Sequence, residues 1–339
     1  MSSRGAGRLM LRLYTCEAGR NEIAVDLSSV TLPPDLVWID VLNGTASEVE
    51  FVERMTGLRV PTREELNEIE SSSRLHTERS ALYLSAPILF RSDNDDPTAT
   101  PVGFVLTPTL LVTVRFDELT VFTKSAELVA KPDAVHRSSA GVFVALLEEI
   151  VDRLADVLER VGGELDAVSH RIFHDENFKT LPRRPAREAS ELRGILRNVG
   201  SNGDLASKIR DTLLSIGRIV PYVLSLAAKW LPSEIVPHLE TLRQDIASLN
   251  DYDAHLTNKI QLLLDATLGL INIEQNNIIK VLTVVSVVGV PPTLIASMYG
   301  MNFRHMPELD WAWGYPYGLA LIACSAILPL LWFKLRGWL

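Results

Sequence analysis

"VLTVVSVVGVPPTLIASMYGMNF", residues 281–303, contains no Asp, Glu, Lys or Arg. A second stretch without those residues runs from Trp311 to Phe333. Coiled as helices at about 1.5 Å per residue, each reaches roughly 34 Å, enough to cross a hydrocarbon core of about 30 Å. Two such runs, back to back at one end of the chain, read as a transmembrane hairpin and not as buried helices of a soluble core. The joining segment, 304–310, sets Arg304 against Glu308 and Asp310.

Basic residues orient the hairpin. Lys280 precedes the first span, and Lys334 and Arg336 follow the second in the tail 334–339. An excess of Lys and Arg marks the cytoplasmic side, which places both termini in the cytoplasm. Trp311, Trp313, Tyr315 and Tyr317 then form an outer aromatic belt, and Trp332, Phe333 and Trp338 an inner one. The opening "MSSRGAGRLMLRLYTC" has no apolar core of a signal peptide, so the large N-terminal portion is expected to stay inside. The expected location is the inner (plasma) membrane, as a multi-pass protein.

Upstream of the spans the pattern is helical. In "KWLPSEIVP", Pro232 stops one helix, Ser233 is suited to N-cap the next, and Pro237 falls in its first turn. From there Leu239, Leu242, Ile246, Leu249, Leu256, Ile260, Leu263 and Ile271 keep a three-and-four spacing. Residues 233–280 thus read as a long stalk helix feeding into the first span. Residues 136–232 form a helical region. It includes "VFVALLEEIVDRLADVLERVGGELDAVSHRIF", a break at 181–187, and a second helix over about 187–229. Residues 1–135 read as an α/β domain. "LMLRLYTC", "EIAVDL", "LVWIDVL", "SALYLSAPILF", "VGFVLT" and "LLVTVRF" are its candidate strands, 46–56 and 117–130 its candidate helices, and "SDNDDPTATP" at 92–101 a turn.

Composition narrows the function. A chain of 339 residues suits about two domains, and its net charge of −9 disfavours nucleic acid, whose phosphates call for a basic face. Cys16 and Cys324 make neither a disulfide framework nor a zinc spacing. The α/β segment has no Gly-rich phosphate loop and no nucleophile elbow, so no catalytic constellation supports an anchored enzyme.

The polar residues of the first span are ordered. Thr283, Ser286, Thr293 and Ser297, with Val290 in register, recur at three and four spacing and form one stripe. Continued toward the stalk, it meets Ile279, Asn276 and, farther in, Asp265. Such a stripe is either a water-bearing pore wall or a small-residue packing seam. Two helices cannot enclose a pore, so the first reading requires several chains around an axis. Pro291 and Pro292 weaken the backbone ladder midway, which predicts a bend there.

At the end of that span, "YGMNFRHMPELDWAWGYPYG" resembles the extracellular loop of the CorA-type magnesium channels, with Tyr-Gly-Met-Asn followed by Met-Pro-Glu-Leu. "INIEQNNIIKVLTVVSVVGVPPTLIASMYGMNF" and "FKLRGWL" are similar to that family's stalk, first span and basic tail. The close match covers roughly residues 268–339. The resemblance implies an α+β membrane protein: a cytoplasmic α/β domain, a long stalk helix and two C-terminal spans, assembled as a homopentameric funnel. It implies a selectivity mouth of Gly300, Met301 and Asn302, and pore-facing positions at Asn276, Ile279, Thr293 and Ser297, with Ser286 and Val290 between them. Asp265 matches an acidic residue at the inner funnel of some members. The resemblance also implies Mg²⁺ as both transported and regulatory ion, bound between subunits in the cytosol to hold the pore closed, with no other cofactor. Co²⁺ and Ni²⁺ are secondary candidates. The motif does not reach the regulatory residues, and Asp245, Asp251 and Asp253 on the stalk are the candidates.

The chemistry suits such an ion. Mg²⁺ dehydrates reluctantly and keeps several waters when bound. A ring of neutral acceptors, the Asn302 amide oxygen with the Gly300 and Met301 carbonyls, could hydrogen-bond those waters and still release the ion. Glu308 and Asp310 would concentrate cations nearby. The partners expected are copies of the same chain, divalent cations and the lipid bilayer. The competing readings are a zinc-transporting ZntB-like branch and a membrane-anchored sensor or scaffold without transport. His170 and His174, at i and i+4, have the spacing of metal ligands but read as a solvated helix end, and His305 as an exposed loop residue.

Overall fold

The computed structural model describes residues 11–15, 19–22, 32–68, 70–90, 97–129, 137–174, 185–301, 307 and 311–338. The chain divides into two compact bodies. One comprises Met1–Lys179 with Arg197–Leu263, the other Thr180–Leu196 with Leu264–Leu339.

The first body is built on a seven-stranded sheet. Its strands are β1 (Leu11–Thr15), β2 (Gly19–Glu22), β3 (Leu36–Leu42), β4 (Leu75–Glu78), β5 (Ala81–Phe90), β6 (Thr98–Leu106) and β7 (Leu111–Arg115). They lie in the order β2-β1-β3-β7-β6-β5-β4. Among the described strand pairs only β3 and β7 run parallel. That pair sits at the centre and is buried on both faces, which is why "LVWIDVL" is almost wholly apolar.

Each face of the sheet has its own layer. On one, Phe51 and Val52 of α1 (Ala46–Thr56) and Leu66 of α2 (Arg63–Leu66) cover Leu11, Leu13, Ile39, Val41, Val105 and Val112. Both helices open with a full capping box, Thr45 with Glu48 and Thr62 with Glu65. On the other face Trp38 stacks on Tyr14 with centroids 4.1 Å apart, and Phe104 meets Phe143 edge-on at 5.6 Å. There α4 (Thr120–Val129) and α5 (Ser139–Phe173) complete the layer.

One charged pair is buried within the sheet. Arg115 Nη2 donates to Asp40 Oδ2 at 2.8 Å, and the two side chains are 1% and 0% exposed. The pair is tolerated because its remaining valences are filled. Thr113 Oγ1 donates to Asp40 at 2.9 Å, Trp38 Nε1 donates to Thr113 at 2.9 Å, and Arg115 Nη1 donates to the Asp117 carbonyl at 2.9 Å. This network locks the register of the parallel pair.

Three places depart from the sequence expectation. Strand β6 starts at Thr98, inside the segment 92–101 taken as a turn. Pro87 and Pro101 face each other across β5 and β6, where β4 and β7 have already ended. Their missing N–H groups can therefore point to open edges, which removes the usual objection to Pro in a strand. Short α2, α3 (Ser71–Arg74) and β4 were not foreseen. Finally, the break at 181–187 is shorter, since helix α6 (Pro185–Leu226) begins on Pro185, a residue suited to a first helical position.

Helix α7 runs from Ile235 to Tyr299 without interruption, so the stalk and the first span are one element. It starts two residues after Ser233. A turn closed by the Ile235 N–H on the Pro232 carbonyl, at 3.0 Å, occupies the place expected for the cap. Pro291 and Pro292 lie inside the helix, which remains helical through both. Helix α8 spans Gly314–Leu335. The C-terminal part of α7 and all of α8 are long and apolar enough to cross a membrane, by length and composition. Of the expected candidates, Cys16, "EIAVDL" beyond Glu22, Asn302, His305, Glu308 and Asp310 lie outside the described residues.

Candidate functional site: one face of helix α7

Helix geometry sorts the side chains of α7 into two faces. Lys280, Val284, Val288, Pro291, Pro292, Ile295 and Tyr299 are half-buried at a three-and-four spacing. Facing them on α8 is a complementary seam of Gly314, Gly318, Leu321, Ile322, Ser325, Ala326, Pro329 and Phe333, each buried or half-buried. Near Tyr299 the two helices stand apart around a recess of about 460 Å³, lined by Ala296, Tyr299, Gly314, Gly318 and Ile322.

The stripe lies on the other side. Asn276, Ile279, Ser286, Val290, Thr293 and Ser297 are all exposed, Ile279 at 60% and Val290 at 62%. Thr283 is half-exposed at its edge. Asp265 is exposed eleven residues before Asn276, about three turns away and so on the same face. Asn272, which the spacing argument passed over, belongs there too. It is exposed and lies seven residues past Asp265, a two-turn repeat that could have revealed it. Helix α8 therefore covers the seam and leaves the stripe open.

The stripe has a consistent hydrogen-bond character. Thr283 Oγ1 donates to the Ile279 carbonyl and Thr293 Oγ1 to the Gly289 carbonyl, each at 2.8 Å. Their protons are spent inside the helix, and what they offer outward is lone pairs. The face is thus uncharged and weighted toward acceptors, the polarity that a cation's hydration shell requires.

Charge is kept off the stripe. From Val281 to Met301 α7 and its end carry no Asp, Glu, Lys, Arg or His. Lys280 is on the seam side, its Nζ 5.9 Å from the Trp338 ring centroid. The end of α8 holds that ring in place. Gly337, at φ +69°, takes the left-handed conformation open to glycine, and the Trp338 N–H returns to the Phe333 carbonyl at 2.9 Å. Trp338 then stacks on Phe333, with centroids 5.4 Å apart. At its other end α7 closes on Gly300, whose N–H reaches the Ala296 carbonyl at 3.0 Å, and Met301 is 49% exposed.

The stalk aspartates do not converge. Asp245 and Asp251 are exposed, whereas Asp253 is 1% exposed and paired with Arg210 Nε at 2.8 Å. A guanidinium already in contact removes the charge a metal ion would need. Asp245 instead lies near Asp152, whose carboxyl is pushed up first by burial and then by Glu149, Asp156 and Asp245. Among the described residues no three His, Cys, Asp or Glu side chains are grouped to hold a metal. His170 and His174 stack at 5.4 Å, exposed at the end of α5.

A seven-stranded α/β body, a helix 65 residues long ending in an uncharged apolar segment, and a second apolar helix on its seam define a class of two-span membrane proteins. The family is then specific: a model described as "CorA-like Mg2+ transporter protein" matches residues 34–335, and the chain belongs to that family. It is 32% identical over 303 residues to "Magnesium transport protein CorA" of Yersinia pseudotuberculosis, covering 89% of this chain and 92% of the relative. It is 31% identical over 330 residues to the protein of the same name in Haemophilus ducreyi, covering 97% and 100%. Among solved structures, the CorA magnesium transporter of Methanocaldococcus jannaschii superposes with a TM-score of 0.69 at 19% identity, over 98% of this chain and 99% of that one. The cytoplasmic domain of ZntB from Vibrio parahaemolyticus is a more distant likeness, with a TM-score of 0.50 at 9% identity, over 79% and 99%. At these identities the solved structures speak for the fold.

Proposed function

We propose that this protein is a magnesium channel, letting Mg²⁺ enter the cell down its electrochemical gradient. Identical chains form a ring, five by the family resemblance, with the stripe of α7 turned to the common axis. The observation that carries this is the open, uncharged, acceptor-weighted face running from Asn276 to Ser297 while α8 occupies the opposite seam. The magnesium-transport function of the named relatives supports it.

The mouth is Gly300, Met301 and Asn302. Neutral oxygens there hold the hydrated ion weakly enough to release it. Glu308 and Asp310 raise the local cation concentration, and Asp265 draws the ion on at the far end of the stripe. An inside-negative potential supplies about 2.3 kcal/mol per charge per 100 mV, so roughly twice that for a divalent ion. No chemical fuel is required. Both termini are cytoplasmic, and cytosolic Mg²⁺ bound between subunits favours the closed state.

Flux into proteoliposomes tests this. Wild type should carry Mg²⁺, with Co²⁺ and Ni²⁺ competing, and Asn302→Ala should lower the flux about tenfold or more, as expected on losing hydrogen bonds to a charged species. Unchanged flux in the variant would sink the mouth assignment. Zn²⁺ flux that follows a proton gradient, with little Mg²⁺ flux, would point to the zinc branch. No divalent flux at all would leave a scaffold. Millimolar Mg²⁺ should also protect the cytoplasmic body from proteolysis.

A further inference from the structure

The α/β body holds a cavity of about 210 Å³ that has no part in the α7 face. Arg59, Arg74, His76, Tyr83 and Ser85 line it, together with Glu65 and Glu68. A smaller recess shares Arg74 and Ser85 and adds Ser215 and Arg218 of α6.

The lining is rich in donors. Arg74 is half-buried, its Nε donating to the Glu68 carbonyl at 2.7 Å and its Nη1 to Ser215 Oγ at 3.3 Å. Among the described residues no carboxylate pairs with it. The Tyr83 hydroxyl accepts the Arg59 amide N–H at 3.1 Å and keeps its own proton to give. The His76 ring lies flat on Tyr83 at 4.9 Å. Ser85 is 4% exposed, and its hydroxyl has no hydrogen-bond partner among the described residues.

Of the two acidic lining residues, Glu65 is already paired. Glu65 pairs with Arg59 and accepts the Thr62 N–H at 2.9 Å. Burial opposes its ionisation, yet those two partners outweigh it and hold the carboxyl below the usual range. The Glu68 side chain is exposed to solvent. What faces the cavity beside the Arg59–Glu65 pair is the Arg74 guanidinium, in contact with no carboxylate among the described residues, with the Tyr83 and Ser85 hydroxyls near it.

We propose that this cavity binds a small oxyanion of the phosphate type, inorganic phosphate or a small phosphate monoester. The Arg74 guanidinium is its charge partner and the Ser85 hydroxyl, on the cavity wall, a neutral donor. A planar fork with hydroxyl donors beside it matches phosphoryl oxygens. The volume is below the roughly 300–1,000 Å³ of sites for drug-sized ligands, which excludes large ones. Since Arg74 also reaches Ser215, and Thr77 Oγ1 lies 3.1 Å from the Tyr222 hydroxyl, an occupant would tighten the contact between the β4–β5 hairpin and α6.

Titration calorimetry on the full-length protein in detergent, without Mg²⁺, tests the site with inorganic phosphate and with glycerol 3-phosphate, against chloride. Saturable heat is expected for at least one of the two, and which of them gives it separates free phosphate from an ester. Arg74→Gln should weaken that binding about tenfold or more and Ser85→Ala about fivefold. Arg74→Lys, which keeps the charge but loses the fork, should fall between wild type and Arg74→Gln. Melting temperatures without ligand verify that the variants are folded. Absence of saturable heat for both probes in the wild type, or wild-type affinity in Arg74→Gln and Ser85→Ala, would overturn the proposal. The readout is binding and not flux, so it stands or falls separately from the channel reading.

Discussion

Asp253 shows how far one residue's environment changes its meaning. On the stalk it looked like an acid available to a cation, but it is buried against Arg210. Burial pushes its carboxyl up, and Arg210 offsets this only in part. An acid whose pKa is higher in the folded state holds its proton longer when folded. Its contribution is therefore most favourable at low pH, and stability falls as pH rises from the ordinary carboxylate value through the raised one. Asp253→Asn should flatten that part of the stability–pH curve while leaving stability at neutral pH unchanged or slightly higher, because Arg210 is exposed enough to be hydrated alone. Apparent melting temperatures between about pH 4 and 8 would measure this; parallel curves for the two proteins would contradict it.

Among the elements, the short helix α2 depends on a glycine it does not contain. A Cβ on Gly103 of β6 would come within 2.8 Å of a Leu66 methyl and 3.3 Å of Pro61. The helix can lie on the sheet only where a strand residue has no side chain. Gly103→Ala should cost about 1–3 kcal/mol through forced displacement of Leu66, read as a lower denaturation midpoint. Gly163→Ala is the control. That position, inside α5, has nothing within 4 Å of the added methyl, and alanine there should be neutral or stabilising by up to about 1 kcal/mol. At the same scale, the paired seams of α7 and α8 explain why a stripe legible in sequence had two readings. Periodicity says that residues share a face, but only the position of the second helix says which face it covers.

For the whole molecule, the stripe's exposure is the strongest statement about assembly. A single chain leaves an apolar helix with a polar stripe uncovered, and further copies around an axis would cover it. Native mass spectrometry of the detergent-purified protein should show one closed homo-oligomer, expected to have five copies. A monomer that still carried Mg²⁺ flux would be incompatible with a shared pore.

Much was legible in the residues themselves. The two uncharged runs, "LVWIDVL" as a strand and the periodicity of α7 depend on local hydrophobic pattern, which a linear chain carries in full. The Tyr-Gly-Met-Asn and Met-Pro-Glu-Leu segments carry the family resemblance in the sequence itself. Tertiary structure decided what depends on residues distant in sequence. It paired Asp40 with Arg115 and Asp253 with Arg210, and let strand β6 begin among prolines because its inner neighbour β7 had ended. It brought Arg74, Ser85 and Ser215 to one recess. Burial and charge pairing are properties of neighbours in space, and the order of residues along the chain does not fix which neighbours those are.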